Sequence, residues 1–380
     1  MSIRDVTVDH EAYLGRKYLP ELDGLRAVSI LLVISVHMKD QAWTWAAGHL
    51  GVTVFFVLSG YLITKLALRE EQARGQLCLS AFFTRRFFRL FPLYYFVLGV
   101  YCLLIFGLNW SPEKRGPMAR ALPYYLAYFQ EWPAFHGING QFTNIPFYQS
   151  WSLGIEEKFY LVWPFLGFVA WRLGGAGRRW GTAILAVLFA ASPMAPGGQI
   201  GRFLTPYAHI LVGCLVALLL DDRAWFGRLA PLGGSTAQWV VLAGFLAFHF
   251  AIPHFPPGFP APLHEIYTVA TGFLLVSLVA GDGPIRRALG VPPLVLLGKL
   301  SYGMYLVHLL ALNIAERVVR PGSGNFAVSM AALVLACAVS AVVAYALSMA
   351  IERPGIAAGR RLSEILLRRS VVARPVETSA

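Results

Sequence analysis

The sequence predicts an all-α, polytopic membrane protein, a bundle of about ten transmembrane helices. Three observations carry that expectation. Of 380 residues, 57% are hydrophobic and only 14% are charged, whereas a soluble domain carries about 25% charged residues. Mean hydropathy is +0.58, and apolar runs long enough for about 30 Å of hydrocarbon recur along the whole chain. Basic residues gather in alternate connections between those runs, as short cytoplasmic loops require. The formal charge of +12 therefore points to membrane orientation rather than to nucleic acid. The polar stretch 1–23 has no charged-then-apolar leader pattern, so no cleaved signal peptide is expected and the first apolar run is expected to stay inserted.

Taken in order, the predicted spans are 24–43, 49–67, 89–107, 151–172, 180–196, 203–221, 237–253, 264–281, 294–317 and 325–351. The stretch LPYYLAYFQEW (122–132) is too short to cross and is bracketed by Pro123 and Pro133. Its tyrosines and tryptophan suit the headgroup level, so it reads as an interfacial or re-entrant piece. Arg69, Arg74, Arg85 and Arg86 fill the second connection, Arg178 and Arg179 the fourth, Arg223 and Arg228 the sixth, and Arg286 and Arg287 the eighth. Arg360, Arg361, Arg368, Arg369 and Arg374 lie in the tail, while loops 44–48 and 254–263 hold no Lys or Arg. That alternation places both termini in the cytoplasm if 122–132 does not cross. The third connection, with Lys114, Arg115 and Arg120, departs from it, but long loops obey the rule poorly. The organisation expected is a cytoplasmic N-terminal segment 1–23, a transmembrane domain 24–354 and a basic cytoplasmic tail 355–380. Cys78, Cys102, Cys214 and Cys337 make no CxxC and no metal spacing, and read as small residues in or near spans.

Within the first span, RAVSILLVISVH (26–37) sets an arginine and a histidine eleven residues apart. On a helix those steps of about 100° fall within roughly 20° of three full turns, so Arg26 and His37 share a face about 16 Å apart along the axis. Lipid would penalise that stripe, so it faces a protein interior or a polar cavity. The fourth predicted span opens with QSWSLGIEEKFYLVWP (149–164), which puts Glu156 and Glu157 in its outer half. A histidine titrating near neutral pH with a carboxylate partner can take a proton from a hydroxyl. Adjacent carboxylates point about 100° apart, so one of the two is expected to face His37. Helix locking by a buried His–Glu bond is the competing reading.

TRRFFRLFPLYY (84–95) places Arg86 and Arg89 on one helix face. Two readings stay open: guanidinium forks for a phosphorylated ligand, or charges snorkelling to lipid phosphates. GKLSYGMYLVH (298–308) makes a polar stripe of Ser301, Tyr305 and His308, which can line a cavity or glue helices together. In FFVLSGYLI (55–63), Ser59 and Gly60 read as close helix packing.

These stretches, in order and together with GVTVFFVLSGYLIT and the closing ERP (352–354), resemble the acyltransferase-3 family of bacterial membrane O-acyltransferases, over about residues 18 to 354. The resemblance implies a bundle of about ten helices in the bacterial inner membrane. It implies transfer of an acyl group, acetyl above all, from cytoplasmic acyl-CoA to a hydroxyl of a sugar, glycan or glycosylated small molecule. His37, Glu156 and Glu157 would then be catalytic. Arg26, Arg86 and Arg89 would bind acyl-CoA or support the site, matching the family's Arg-x10-His and Arg-x-x-Arg. Ser301, Tyr305 and His308 would line the cavity. Acyl-CoA would come as donor substrate, with no permanently bound cofactor, no metal and no nucleic acid; the partners would be membrane lipids and a carbohydrate acceptor. The segment RFLTPYAH after Arg202 lacks the acidic residue the pattern expects, so Arg202 receives no role. Some members carry a further periplasmic esterase-like domain, and the sequence given runs to Ala380, soon after ERP. The rival expectation is a proton-coupled transporter of a sugar or small metabolite, against which the sequence offers no internal repeat.

Overall fold

The computed structural model describes residues 8–38, 40–132, 145–170, 174–194, 199–255, 262–319 and 325–372. Pro133, the 256–261 part of the expected outer loop and Arg374 lie outside them, as does the side chain of Arg202. The α-helices are α1 (His10–Gly15), α2 (Pro20–Val36), α3 (Leu50–Arg74), α4 (Leu79–Cys102) and α5 (Arg115–Leu126). They continue with α6 (Trp151–Pro164), α7 (Gly174–Ala191), α8 (Gln199–Asp221), α9 (Arg223–Leu229) and α10 (Ser235–Ala251). The last are α11 (Pro262–Val279), α12 (Pro284–Leu289), α13 (Pro292–Val319), α14 (Phe326–Leu347) and α15 (Arg353–Val372).

Within the described residues each of the ten predicted spans is mostly helical, and the protein is an all-α multi-pass membrane protein. Among the described residues, six helical stretches are long and apolar enough to cross by themselves: Ala42–Arg74, Leu79–Gly107, Phe203–Asp221, Ser235–His254, Pro292–Val319 and Phe326–Arg368. The other predicted segments, in α2, α6, α7 and α11, are shorter or carry more polar residues. Among the described residues three helices continue into a π-helical turn: Leu103–Gly107 extends α4, Phe165–Ala170 extends α6 beyond Pro164, and Ser348–Glu352 follows α14.

The chain packs as two compact units, 1–66 with 171–341 and 67–170 with 342–380. In the first, helices meet through small residues, as expected where lipid gives no hydrophobic drive for helices to associate. A Cβ on Gly60 would strike the Ile210 backbone, and one on Gly213 would strike that of Val57. Gly60 is thus the packing residue its setting suggested. Gly48 and Gly51 bring the start of α3 equally close to α2, against Leu32 and Ser29. Gly24 lies on the Leu289 backbone and Gly298 on that of Asp23, so α2 and α13 start side by side. They run in the same direction, because His37 and His308 then meet toward their other ends.

The first predicted span is shifted toward the N-terminus. Pro20 sits in the first turn of α2 with Glu21 and Asp23, residues that suit a helix start. Glu21, fully buried, pairs with Arg286 Nε at 3.1 Å. The helix stops at Val36, and Asp40 accepts the Ala42 N–H to start a separate 3-10 turn, Gln41–Ala46. His37, Met38 and residues 40–43 therefore leave the helix that the apolar pattern alone extends through them.

In the second unit, tyrosines on α4 hold the short 122–132 piece. Tyr94 donates to the Tyr125 carbonyl at 3.0 Å and Tyr95 to that of Leu126 at 2.8 Å. Gln130 Nε2 donates to the Tyr94 hydroxyl at 2.9 Å. The α-helix there ends at Leu126, and Tyr128 turns the chain with φ 59°. Buried Glu131 pairs with Lys158 of α6 at 2.7 Å. In the tail, α15 packs on α4, with Gly355 and Gly359 against Phe88.

Candidate active site

His37 caps the end of α2 with φ −88° and ψ −3°, its N–H returning to Ile34. Its Nδ1 lies 2.7 Å from the Val33 carbonyl. A carbonyl only accepts, so Nδ1 carries the proton and, in the neutral ring, Nε2 is the basic atom. The same backbone logic holds at His308 on α13, which is fully buried. Its Nδ1 donates to the Tyr305 carbonyl at 2.7 Å. The two imidazoles stand edge to face, with centroids 4.8 Å apart and planes inclined at 65°. The Tyr305 ring lies 5.7 Å from that of His308, and Ser301 is buried one turn earlier. The predicted stripe on α13 thus meets the histidine of α2. Arg26 lies near Asp23, with 3.9 Å between charged atoms.

In the second unit, Arg86 stacks its guanidinium over the Tyr160 ring at 4.4 Å. The Tyr160 hydroxyl donates to Glu156 Oε2 at 2.9 Å. Glu157 is buried on the neighbouring face, while Glu156 is partly exposed, as their divergence on a helix requires. Arg89 is exposed, and Arg85 turns to Glu70. Arg86 and Glu156 are therefore joined through Tyr160. His37 belongs to the first unit and the carboxylates to the second. Within its own unit, His37 is oriented by a backbone carbonyl and a second histidine.

Several functional-looking residues escaped the sequence reading. Tyr160 was legible as the i+4 neighbour of Glu156 in EEKFY, a spacing that places two side chains on one helix face. A second histidine group lies elsewhere in the first unit. His49 and His264 have ring centroids 5.8 Å apart, and His209 Nε2 is 3.6 Å from Glu265 Oε1. Beside them His249 donates from Nε2 to the Ala46 carbonyl at 3.0 Å and accepts from the Tyr267 hydroxyl at 2.9 Å. Polar residues inside apolar runs were their only signal. Among the described residues, no group of three or more His, Cys, Asp or Glu is arranged to hold a metal ion.

Comparison with known proteins places this geometry in context. The chain is 29% identical over 317 residues to the peptidoglycan O-acetyltransferase OatA of Listeria monocytogenes, covering 77% of this chain and 49% of that protein. It is 31% identical over 314 residues to the putative peptidoglycan O-acetyltransferase YrhL of Bacillus subtilis, covering 77% and 48%. To the O-acetyltransferase OatA of Staphylococcus aureus strain NCTC 8325 / PS 47 it is 29% identical over 318 residues, covering 78% and 51%. The chain thus spans about half the length of the curated relatives it matches. No solved structure matches. Residues 19–349 match the family model described as an acyltransferase domain, so the chain belongs to the acyltransferase-3 family.

Proposed function

We propose that this protein is a membrane O-acyltransferase that moves an acetyl group from cytoplasmic acetyl-CoA to a hydroxyl of a glycan. The observation that carries the reading is His37 in this family's acyltransferase domain, with Nδ1–H fixed on the Val33 carbonyl and Nε2 left as its basic atom. A base must have its proton-accepting nitrogen defined before substrate arrives, and the backbone supplies that here. The relatives' names supply the acceptor class: both OatA proteins are named O-acetyltransferases, that of Listeria for peptidoglycan, and YrhL is named a putative peptidoglycan O-acetyltransferase.

The chemistry balances with these residues. His37 Nε2 takes the proton of the acceptor hydroxyl while its oxygen attacks the thioester carbon. The C–S bond breaks, the ester forms, and the CoA thiolate receives the proton, returning His37 to its neutral form. Arg86 and Arg89, with Arg26 as support, would hold the donor's phosphates through charge-assisted bonds. Glu156 and Glu157 would serve the same reaction, Glu156 through Tyr160 and Arg86. Ser301 and Tyr305 would line the cavity beside His308.

The donor's side follows from the proposed orientation, with both termini and the α3–α4 connection in the cytoplasm of a bacterial inner-membrane protein. A periplasm-active reporter fused after Gly75 should be silent and one at Gly258 active; a signal at Gly75 would reverse the donor's side. The activity itself is tested with the protein in detergent, acetyl-CoA and peptidoglycan oligosaccharides. Transfer of acetyl to the sugar supports the reading. Proton-coupled sugar uptake into liposomes, without acetyl-CoA cleavage, would make the protein a carrier instead.

A further inference from the structure

His308 has a feature that neither helix packing nor cavity lining explains. Its Nδ1–H is committed to the Tyr305 carbonyl, and its Nε2 is buried with no hydrogen-bond partner among the described residues. A buried acceptor left so costs about 1–3 kcal/mol. A histidine kept only to join helices would spend both nitrogens, as His249 does on Ala46 and Tyr267. The unspent acceptor lies on the ring that stands 4.8 Å from His37. His37 also commits its Nδ1–H to a carbonyl, so in the neutral state its basic atom is likewise Nε2. Rings this close can pass a proton directly, because a nitrogen lies about 1 Å from its ring centroid and an N–H···N bond spans about 3 Å.

We propose that His308 is the proton-sharing and positioning partner of His37. The inference rests on the acyl-transfer reading above. The acceptor hydroxyl donates its one proton to His37 Nε2. The hydroxyl proton leaves the oxygen for His37 Nε2 as the O–C bond forms. His308 Nε2 then accepts a hydrogen bond from the new imidazolium, or takes the proton itself, while the C–S bond breaks. The CoA thiolate receives that proton, and both rings end neutral. The pair does with two imidazoles what many enzymes do with a histidine and a carboxylate: it spreads the charge that appears in the transition state.

The test uses the full chain in detergent with acetyl-CoA and peptidoglycan oligosaccharides. His308→Asn is the informative variant, because its amide N–H can keep the bond to the Tyr305 carbonyl while no basic nitrogen remains. The expected result is a kcat lowered about 10–100-fold, less than the 10²–10⁴-fold of losing a general base, with an unchanged KM for acetyl-CoA. In mixtures of light and heavy water, the wild-type rate should curve with deuterium fraction, reporting more than one proton in flight, and the variant should be linear. Imidazole should restore part of the rate to His308→Ala. A His308→Asn enzyme with near-normal kcat, or with the same curvature as the wild type, overturns the proposal while leaving acyl transfer intact. A wild-type protein that transfers no acetyl overturns the acyl-transfer reading itself, and this inference with it.

Discussion

His249 and His308 are both buried histidines in the first unit, and they differ in what their nitrogens do. His249 gives one nitrogen to the Ala46 carbonyl and the other to the Tyr267 hydroxyl, tying α10 to α11 and to the turn after α2. His308 ties one nitrogen to its own helix and leaves the other bare beside His37. Burial alone therefore does not separate structural from chemical histidines in a membrane interior. What their nitrogens face does, because a bare acceptor beside a second basic ring is a cost that a proton moving between the two relieves.

That contrast predicts opposite losses. His37→Ala should slow acetyl transfer about 10²–10⁴-fold with little change in melting temperature. His249→Leu should do the reverse. It removes two hydrogen bonds and strands the Tyr267 hydroxyl, for about 1–3 kcal/mol of stability, while molecules still folded keep their turnover. Thermal unfolding in detergent beside the rate per folded molecule checks both. A His249→Leu protein that melts normally but turns over slowly would erase the distinction.

A smaller effect is expected in the second unit, where Arg86 lies over Tyr160. Arg86→Ala should weaken acetyl-CoA binding by about 1.5–3 kcal/mol, the value of a hydrogen bond to a charged group, and leave kcat at saturating donor nearly intact. Arg86→Lys should recover only part, since an ammonium neither forks nor stacks as a guanidinium does. Titration with acetyl-CoA reads this directly, and unchanged affinity would return Arg86 to lipid anchoring.

The smallest effect belongs to Asp222, far from any proposed chemistry. It caps α9, accepting from Trp225 and Ala224, and pairs with Arg179 at 2.8 Å. The Trp225 N–H above all, with Arg179 adding to it, holds the Asp222 carboxyl below the usual carboxylate range. A carboxyl whose folded pKa is depressed contributes stability above its unfolded value of about 3.9 and loses it as pH falls through the folded value. Asp222→Asn keeps the cap but not the charge. Its melting temperature should fall slightly below the wild type's at pH 7, and the gap should begin to close only as pH drops below about 4.

The helices were legible in the sequence because length and apolarity decide what spans a bilayer. The end of α2 was less so. The apolar count carried the first span to residue 43, whereas the polar run HMKD and the Asp40 cap close the helix at Val36. The site was legible in parts. His37, Arg26 and the α13 stripe stood out as costly residues inside apolar runs, and the divergence of Glu156 from Glu157 followed from helix geometry. The meeting of His37 with His308 did not, because it depends on α2 and α13 starting side by side at Gly24 and Gly298, which no local pattern announces. The Val33 carbonyl was invisible for another reason: backbone partners leave no mark in side-chain spacing.

The central claim, that His37 takes the proton in acyl transfer from acetyl-CoA to a sugar hydroxyl, is tested most directly by His37→Gln. Glutamine keeps the size and hydrogen bonding of the side chain but cannot accept and release a proton near neutral pH. With purified protein, acetyl-CoA and peptidoglycan oligosaccharides, mass spectrometry should find O-acetylated sugar from the wild type. From a folded His37→Gln protein that still binds acetyl-CoA, it should find at least about 10²-fold less. Near-normal acetylation by His37→Gln would contradict the account and leave the two histidines as a contact between helices.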